Sequence, residues 1–374
     1  MPLSHFLKQF FAAEKKYGSK DRKQIAALCY NYYRLGKAAH GITIEERIII
    51  ATFVCENVHS EFLNFHKPEW NEKIGLPGSE KISISHFPFS IEDIFPWNNE
   101  LSNGIDAGQF AISFLLQPKL FLRIRPGKTD IVLKKLDAAS LSYQSVQEDG
   151  ISFPNSTRID EVLEINREVV VQDANSQRVL DHLRTDPPAG AEPIQLWDCC
   201  AASGGKSILA YDILKGNVKL AVSDIRESIL SNLKSRFKKA GINNYHSFIA
   251  DLITPGCLPD SYRVPIVICQ LLICDAPCTG SGTWSRTPEQ LYFFDPTLID
   301  SYAKKQRSIV SNAVKSLQKD GLLFYITCSV FKKENEEIAE FIANELGLEM
   351  LEMTILKGYD KRADSMFTAV FQKK

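Results

Sequence analysis

The chain has 374 residues, of which 44% are hydrophobic and 24% are charged, and its formal net charge is -1. These values are typical of a globular protein of two or three domains, and they exclude a disordered chain or one that binds polyanions through a large overall positive charge. No signal-peptide pattern or run of roughly 18 apolar residues is present, so a cytoplasmic protein without a membrane partner is expected. The nine cysteines lack the spacing of a zinc site or a disulfide framework, so we expect no metal and a reducing compartment.

The first 185 residues are predicted to form three segments of different character. Residues 1–65 are expected to form a helical domain, because apolar side chains recur there at intervals of three and four residues. Residues 66–105 contain four prolines and several other turn-forming residues, which predicts an irregular linker. Residues 106–185 mix short strand and helix patterns, with clear alternation at 120–125, and this predicts a small α+β subdomain.

Strands and helices alternate regularly in residues 186–374. The predicted strands are 194–198, 220–224, 245–249, 266–274, 322–327, 349–356 and 365–372, and the predicted helices are 205–214, 227–240, 297–318 and 334–346. Alternating units of this kind are typical of an α/β fold with a doubly wound, mostly parallel sheet and helices on both faces.

Two cysteines follow predicted strands of this sheet. Cys278 comes three residues after Asp275, at the end of one strand, and Cys328 comes at the end of the next. Ligands of open parallel sheets bind outside the carboxyl ends of the strands, so both thiols are expected to face one crevice. Two thiols beside a carboxylate indicate covalent chemistry on a substrate. Each cysteine taken alone could instead be a small buried apolar side chain.

A turn of small residues follows the first predicted strand of the sheet. It runs from Asp198 to Ser207 and has neither the spacing of a phosphate-binding loop nor a Gly-x-Gly-x-x-Gly pattern. Asp198, Asp224 and Asp251 lie at the ends of successive strands, and such a series suits the ribose hydroxyls and amino group of a nucleoside better than a polyphosphate. As single residues, aspartates at these places are commonly caps or turn residues.

These motifs resemble those of the RNA 5-methylcytosine methyltransferases of the RsmB/Sun type, which use S-adenosylmethionine. The family motif Asp-x-Cys-Ala-Ala-Pro-Gly-Gly-Lys is matched by Asp198 and residues 200–206, with Ser203 in place of proline. Residues 275–282 match Asp-Ala-Pro-Cys-Ser-Gly-x-Gly with one change, and residues 327–329 match Thr-Cys-Ser. Residues 20–37 are more weakly similar to a NusB-like helical domain of some members.

The resemblance implies a class I methyltransferase fold with a Rossmann-like sheet, and it implies roles for particular residues. Cys328 would attack C6 of the cytosine, Cys278 would assist release of the product, Asp275 would hold the base at N3, and Lys206 would lie close to the reacting centre. The residues expected to bind S-adenosylmethionine are Cys200, Ala201, Ala202, Ser203, Gly204, Gly205, Lys206, Asp224, Asp251 and Asp275. Ser203 is expected to loosen the turn that binds this cofactor.

The RNA substrate is less well defined by the sequence. Arg123, Arg125 and Arg286 are candidates for phosphate contacts, and the 106–185 subdomain is the expected RNA-binding part. Ribosomal RNA is the favoured substrate and transfer RNA the alternative. A non-catalytic ribosome-assembly factor of the same fold, and a DNA cytosine methyltransferase with Cys278 as nucleophile, are further alternatives. Nothing in the sequence requires more than a monomer.

Overall fold

The computed structural model describes residues 1–84, 87–188, 193–254 and 268–374. The chain divides into two compact units. The first comprises residues 1–118, 281–296 and 359–362, and the second comprises residues 119–280, 297–358 and 363–374. No helix among the described residues is both long enough and apolar enough to cross a bilayer.

The first unit is helical, which confirms the helical N-terminal region. Its helices are α1 (Leu3–Ala13), α2 (Ser19–Arg34), α3 (Ile44–Cys55), α4 (Glu61–His66), α5 (Pro68–Asn71), α6 (Gly78–Ile84), α7 (Ala107–Ser113) and α12 (Pro288–Phe293). Helix α3 begins with a capping box, in which the Thr43 hydroxyl accepts from the Glu46 amide and the Glu46 carboxylate accepts from the Thr43 amide.

The segment 66–105 corrects the prediction of an irregular linker. It contains α5, α6 and 3-10 turns at Glu92–Ile94 and Asn98–Glu100, and Ile94 and Phe95 are completely buried. Proline at the first position of α5 is compatible with a helix, because its missing N–H would have no intrahelical partner there. The prolines of this segment are therefore compatible with short packed helices, which belong to the first unit.

A small antiparallel sheet opens the second unit. Its strands are β1 (Leu120–Ile124), β2 (Gln144–Gln147), β3 (Gly150–Phe153) and β4 (Val169–Val171), in the order β2-β3-β1-β4. Helix α8 (Thr129–Ala138) buries Val132 and Leu136 against Leu122 and Ile151 of this sheet. The mixture of helix and strand in this region agrees with the predicted α+β character, although the compact unit begins at residue 119.

The large sheet of the second unit has seven strands. They are β5 (Ile194–Asp198), β6 (Val218–Asp224), β7 (Tyr245–Ile249), β8 (Cys269–Asp275), β9 (Leu317–Thr327), β10 (Leu348–Leu356) and β11 (Met366–Lys373). The order is β10-β11-β9-β8-β5-β6-β7, with β5 to β9 parallel and β11 antiparallel to both neighbours. This arrangement confirms the predicted mostly parallel sheet; residues 266 and 267 of the predicted fourth strand lie outside the described residues.

Helices cover both faces of this sheet, as its sequence pattern predicts. The helices of the second unit besides α8 are α9 (Asp181–Thr185), α10 (Gly205–Ile213), α11 (Glu227–Ala240), α13 (Thr297–Ala313) and α14 (Glu336–Asn344). Leu196 and Ile273 face one apolar core with α10 and α11, whereas Trp197 and Leu272 face the other with α13 and α14. Because successive residues of a strand point to opposite faces, strands with no polar alternation are buried on both sides.

Strand β5 lies between β6 and β8, and this position creates the crevice of the sheet. The chain proceeds from β5 to β6 on one side and, after β7, returns to β8 on the other side. Connections leave the carboxyl ends of these strands in opposite directions, which opens a ligand-sized gap above them. The residues that follow β5, β6, β8 and β9 are therefore the ones placed to contact a ligand.

Candidate functional site

A cavity of about 480 Å³ lies at the carboxyl ends of the parallel strands. It is lined by the turn after β5, the ends of β6 and β7, the segment after β8 and the cysteine after β9. Its lining residues are Cys199, Cys200, Ala202, Asp224, Ile225, Arg226, Ala250, Asp251, Leu252, Ile253, Asp275, Ala276, Pro277, Cys278, Tyr302, Ile309 and Cys328. The sheet thus brings both predicted thiols and three of the predicted acids into one cavity.

The turn between β5 and α10 has a backbone that only small residues allow. Ala202 and Gly204 have φ angles of 46° and 82°, in the left-handed region. A Cβ atom on Gly204 would also lie 2.6 Å from a ring carbon of Phe237 on α11. The Ala202 amide donates to the Asp224 carboxylate at 3.1 Å, which ties the turn to the end of β6. Glycine is therefore required here for both conformation and packing.

Ser203, which stands where the resembling family has proline, is held by Arg236 of α11. The Arg236 guanidinium donates to the Ser203 hydroxyl at 2.7 Å and to its carbonyl at 3.1 Å. Its Nε donates to the Asn166 side chain at 3.0 Å. The turn is thus fixed by side-chain hydrogen bonds in place of a proline ring. Arg236 was not recognised from the sequence, because nothing in the spacing connects it to residue 203.

The three strand-end acids have different surroundings. Asp198 is fully buried; one carboxylate oxygen accepts from the Ser207 hydroxyl at 2.6 Å, and the other has no hydrogen-bond partner within the described part of the chain. Burial raises the pKa of Asp198 to about 7. Asp224 accepts from the Arg226 amide at 2.9 Å, and Asp251 accepts from the Ile253 amide at 3.1 Å. The last two therefore act as turn residues while they also line the cavity.

Lys206 forms an ion pair with Asp275, which lines the cavity. The distance between Lys206 Nζ and Asp275 Oδ2 is 2.5 Å, and both side chains are largely buried. Burial alone would lower the pKa of Lys206, but the charge and hydrogen bond of Asp275, with smaller contributions from Cys328 and Asp198, raise it overall. The lysine therefore stays positively charged in a site that contains several acidic groups.

The two predicted cysteines face each other across the cavity. Cys278 Sγ and Cys328 Sγ are 3.4 Å apart. The hydrogen bond with Cys328, burial and nearby negative charge raise the pKa of Cys278 well above its ordinary value. Cys278 is therefore a protonated thiol at neutral pH. The parallel register of β8 and β9, which pairs Asp275 with Ile326, places the two strand ends side by side.

Glu334 is a site residue to which sequence reasoning assigned no role. It is completely buried, and its carboxylate accepts hydrogen bonds from residues that directly follow each cysteine, Thr279 and Ser329. The sequence signal available was its place in a Glu-Asn-Glu run shortly after Cys328. That run says nothing about which residues the carboxylate contacts.

A second group of thiols includes two cysteines of the turn itself. Among the described residues, Cys199, Cys200 and Cys274 are the group that could hold a metal ion, with their sulfur atoms all within 4.8 Å of one another. Cys199 and Cys274 belong to the apolar core under α13. The absence of a bound metal remains a prediction.

The three arginines predicted to contact RNA lie in different places. The Arg123 side chain is only 2% exposed, and its guanidinium pairs with Asp212 at 2.7 Å. Arg125 pairs with the other oxygen of Asp212 at 2.6 Å. Arg286 belongs to the first unit, where its amide donates to the Thr283 carbonyl at 2.9 Å. Asp212 therefore gives Arg123 and Arg125 a structural role, and RNA contact by any of the three remains a prediction.

Comparison with known proteins supports the resemblance seen in the motifs. Residues 188–369 match the family model described as 16S rRNA methyltransferase RsmB/F. The probable ribosomal RNA small subunit methyltransferase B of Bacillus subtilis (strain 168) is 26% identical over 294 residues, which make up 78% of this chain and 57% of that protein. The chain thus spans little more than half the length of this relative.

Solved structures share the fold. The crystal structure of PH0851 matches with a TM-score of 0.71 at 16% identity and covers 98% of this chain and 93% of its own. A methyltransferase homologue protein from Pyrococcus horikoshii matches with a TM-score of 0.61 at 18% identity, over 79% of this chain and 98% of its own. At such identities the likeness concerns the fold alone, and it confirms the class I methyltransferase architecture.

Proposed function

We propose that this chain, whose residues 188–369 match the family model described as 16S rRNA methyltransferase RsmB/F, transfers the methyl group of S-adenosylmethionine to C5 of a cytosine in RNA. The observation that carries the proposal is the Cys278–Cys328 pair, with 3.4 Å between its sulfur atoms, in the same cavity as Asp275. Ribosomal RNA is the favoured substrate, because the Bacillus subtilis relative is named a ribosomal RNA small subunit methyltransferase.

The residues of the cavity fit S-adenosylmethionine. The turn at 202–205 leads into the first turn of α10, whose amide groups have no intrahelical partner and can meet a polar ligand. Asp224 and Asp251 present carboxylate oxygens at adjacent strand ends, which suits ribose hydroxyls and an amino group. Ile225 and Ile253 are partly exposed apolar side chains in the same lining and suit the face of a purine. When bound, this cofactor would supply an electrophilic methyl group.

Cytosine C5 is too weak a nucleophile to accept a methyl group unaided. Addition of the Cys328 thiolate to C6 forms a sulfur–carbon bond and moves electron density toward C5 and N3, which divides one difficult step into two easier ones. The charge that develops at N3 needs a positioned proton donor. Lys206 Nζ donates to Asp275 Oδ2 at 2.5 Å, so the pair holds a proton that it can share with the base.

The product must then leave the enzyme. After methyl transfer C5 carries both a hydrogen and a methyl group, so a base removes that proton and the sulfur–carbon bond at C6 breaks, which restores the aromatic ring and the Cys328 thiolate. We assign Cys278 to this release step, in which its protonated thiol can donate a hydrogen bond to the departing Cys328 sulfur 3.4 Å away. Access to C6 requires an unstacked base, so the target cytosine is expected to be single-stranded or flipped out.

Trapping the covalent intermediate tests this proposal. Cys278→Ala protein incubated with S-adenosylmethionine and small-subunit ribosomal RNA should accumulate a protein–RNA adduct that resists denaturants, because attack proceeds and release does not. Cys278→Ala combined with Cys328→Ala should form none. Cys29→Ala, which changes a thiol of the first unit, should neither accumulate an adduct nor lose methylation and serves as the control.

The same experiment separates the alternatives. An adduct with transfer RNA but not with ribosomal RNA would make transfer RNA the substrate and would leave the proposed covalent mechanism unchanged. Loss of activity in Cys278→Ala with full activity in Cys328→Ala would reverse the two roles, as in a DNA-type enzyme. No adduct and no methylation of any RNA, together with normal binding of S-adenosylmethionine, would overturn the proposal in favour of a non-catalytic factor.

A further inference from the structure

The two cysteines lie on separate loops, and no covalent link keeps their sulfur atoms close. Cys278 is in the loop after β8 and Cys328 is in the loop after β9. The parallel pairing of these strands ends at Asp275 and Ile326, so the ladder itself does not reach either thiol. Contacts outside the ladder must therefore help to set the 3.4 Å separation, and one of them joins the Thr279 and Ser329 hydroxyls directly at 3.3 Å.

Glu334 joins the two loops through both oxygens of one carboxylate. Oε1 accepts from the Thr279 amide at 2.9 Å and from Gln306 Nε2 at 3.2 Å. Oε2 accepts from the Thr279 hydroxyl at 2.6 Å and from the Ser329 hydroxyl at 2.5 Å. One side chain therefore holds the residue that directly follows each cysteine.

Neighbouring contacts make this carboxylate rigid. The Tyr325 hydroxyl donates to the Glu334 carbonyl at 2.7 Å, which fixes its backbone against β9. Asn335 accepts from Thr327 at 2.5 Å and donates to the Ser329 carbonyl at 2.9 Å, so both flanks of Cys328 are held. A carboxylate with several short hydrogen bonds in a dry site behaves as a fixed point for the loops around it.

The loop of Cys278 is held from its other side as well. The Gln306 amide of α13, which donates to Glu334, also donates to the carbonyl of Pro277 at 3.0 Å. The residues before and after Cys278 are thus tied to one network, and that network is centred on a single buried acid. A buried carboxylate is costly to desolvate, so a residue needed only for packing would more readily be apolar.

We propose that Glu334 is a positioning residue whose carboxylate, by holding Thr279 and Ser329, sets the Cys278–Cys328 distance required for attack and release. This inference rests on the proposed function for its catalytic consequence, since that function assigns the steps to the two thiols. The separation of the thiols is nevertheless a physical property that can be measured without any methyl transfer.

The first measurement is the thiol–disulfide equilibrium of the cysteine pair in glutathione buffers. Oxidation joins the two sulfur atoms and reduces one oxidised glutathione to two reduced molecules, so the equilibrium constant reports the effective concentration of one thiol at the other. The fraction of Cys278–Cys328 disulfide is read by alkylation and peptide mapping. Glu334→Ala should lower this equilibrium constant at least tenfold.

Two further variants separate positioning from folding. Glu334→Gln should stay within about threefold of the wild type, because the amide oxygen still accepts from N–H groups and the Thr279 and Ser329 hydroxyls can turn to accept from its Nε2. Glu340→Gln changes an exposed glutamate of α14 and should leave the equilibrium unchanged. If Glu334→Ala does not fold, Ser329→Ala, which removes one of the held hydroxyls, should shift the equilibrium in the same direction.

Steady-state kinetics of RNA methylation then show the catalytic consequence. Glu334→Ala should lose at least tenfold in kcat with little change in the KM for S-adenosylmethionine, and Glu334→Gln should recover most of this loss. A disulfide equilibrium and kcat in folded Glu334→Ala equal to those of Glu340→Gln would overturn the inference. A large shift of the equilibrium in a protein whose wild type methylates no RNA would leave the positioning role intact and overturn the proposed function.

Discussion

At the residue scale, Asp198 combines complete burial with one carboxylate oxygen that has no hydrogen-bond partner among the described residues. Its pKa in the folded protein is about 7, compared with an ordinary value of 3.8. Because the folded state favours the protonated form, this group contributes stability that is fully present at low pH. That contribution is lost as the pH rises from about 4 through about 7.

Replacement of Asp198 should remove its contribution to the pH dependence of the free energy of unfolding. Between the two pKa values the wild type should lose stability at about 1.4 kcal/mol per pH unit relative to Asp198→Asn, whose amide does not titrate in this range. Urea unfolding of both proteins from pH 4.5 to pH 8 gives the difference in the free energy of unfolding. A difference that is constant across this range would show that Asp198 is ionised throughout.

The residues of the site differ in how far their positions follow from sequence. Cys278 and Cys328 could be placed together in advance, because each follows an apolar strand and parallel strand ends meet at one edge of a sheet. Arg236 and Glu334 could not, because a hydrogen bond to Ser203 or Thr279 depends on side-chain directions that no spacing in the chain encodes.

At the element scale, the strands and helices of the second unit occur where the sequence patterns predict them, but several begin or end at residues other than the predicted ones. The predicted helix 297–318 ends at Ala313, because Leu317 pairs with Cys269 and the chain enters β9 five residues early. The predicted helix 334–346 begins at Glu336, since Glu334 and Asn335 are used to hold the cysteine loops. Strand pairing and side-chain contacts with distant residues determine such boundaries, and the local periodicity of apolar residues carries no information about these contacts.

The contact between the small sheet and the large one depends on Asp212 of α10. Its carboxylate, only 6% exposed, pairs with Arg123 of β1 at 2.7 Å and with Arg125 at 2.6 Å. Asp212→Ala would leave two largely buried guanidinium groups without their counter-charge. Removal of one member of a buried ion pair costs about 3 to 5 kcal/mol, so we expect a loss of that size in the free energy of unfolding.

An exposed ion pair provides the matched control for that experiment. Asp300 pairs with Lys333 at 2.8 Å, but its side chain is 62% exposed. When both variants are unfolded in guanidinium chloride, Asp300→Ala should therefore cost no more than about 1 kcal/mol in the free energy of unfolding. Equal losses for the two variants would mean that the buried arginines find other partners and that Asp212 is not the link between the sheets.

At the scale of the whole molecule, the two compact units are not consecutive stretches of chain. Residues 281–296, which follow the first cysteine loop in sequence, belong to the N-terminal unit. They contribute the buried Trp284 and Leu291 to that unit, and Glu289 accepts from the Leu3 amide at 2.9 Å. The boundaries predicted from sequence at residues 65, 105 and 185 did not include this return of the chain to the first unit. Changes in composition indicate linkers, but they do not show that a later segment packs with an earlier domain.

A separated N-terminal fragment should therefore be unable to complete its core. Residues 1–118 alone lack Trp284 and Leu291, and loss of a large buried side chain costs about 3 to 5 kcal/mol, a large part of the 5 to 15 kcal/mol that stabilises a typical domain. We expect this fragment to unfold without a cooperative transition in urea, as followed by far-ultraviolet circular dichroism. The same fragment with residues 281–296 joined through a flexible Gly/Ser linker should regain a cooperative transition. Equal midpoints for the two fragments would show that residues 1–118 fold without this segment and that its aromatic and aliphatic side chains only cover a core already formed.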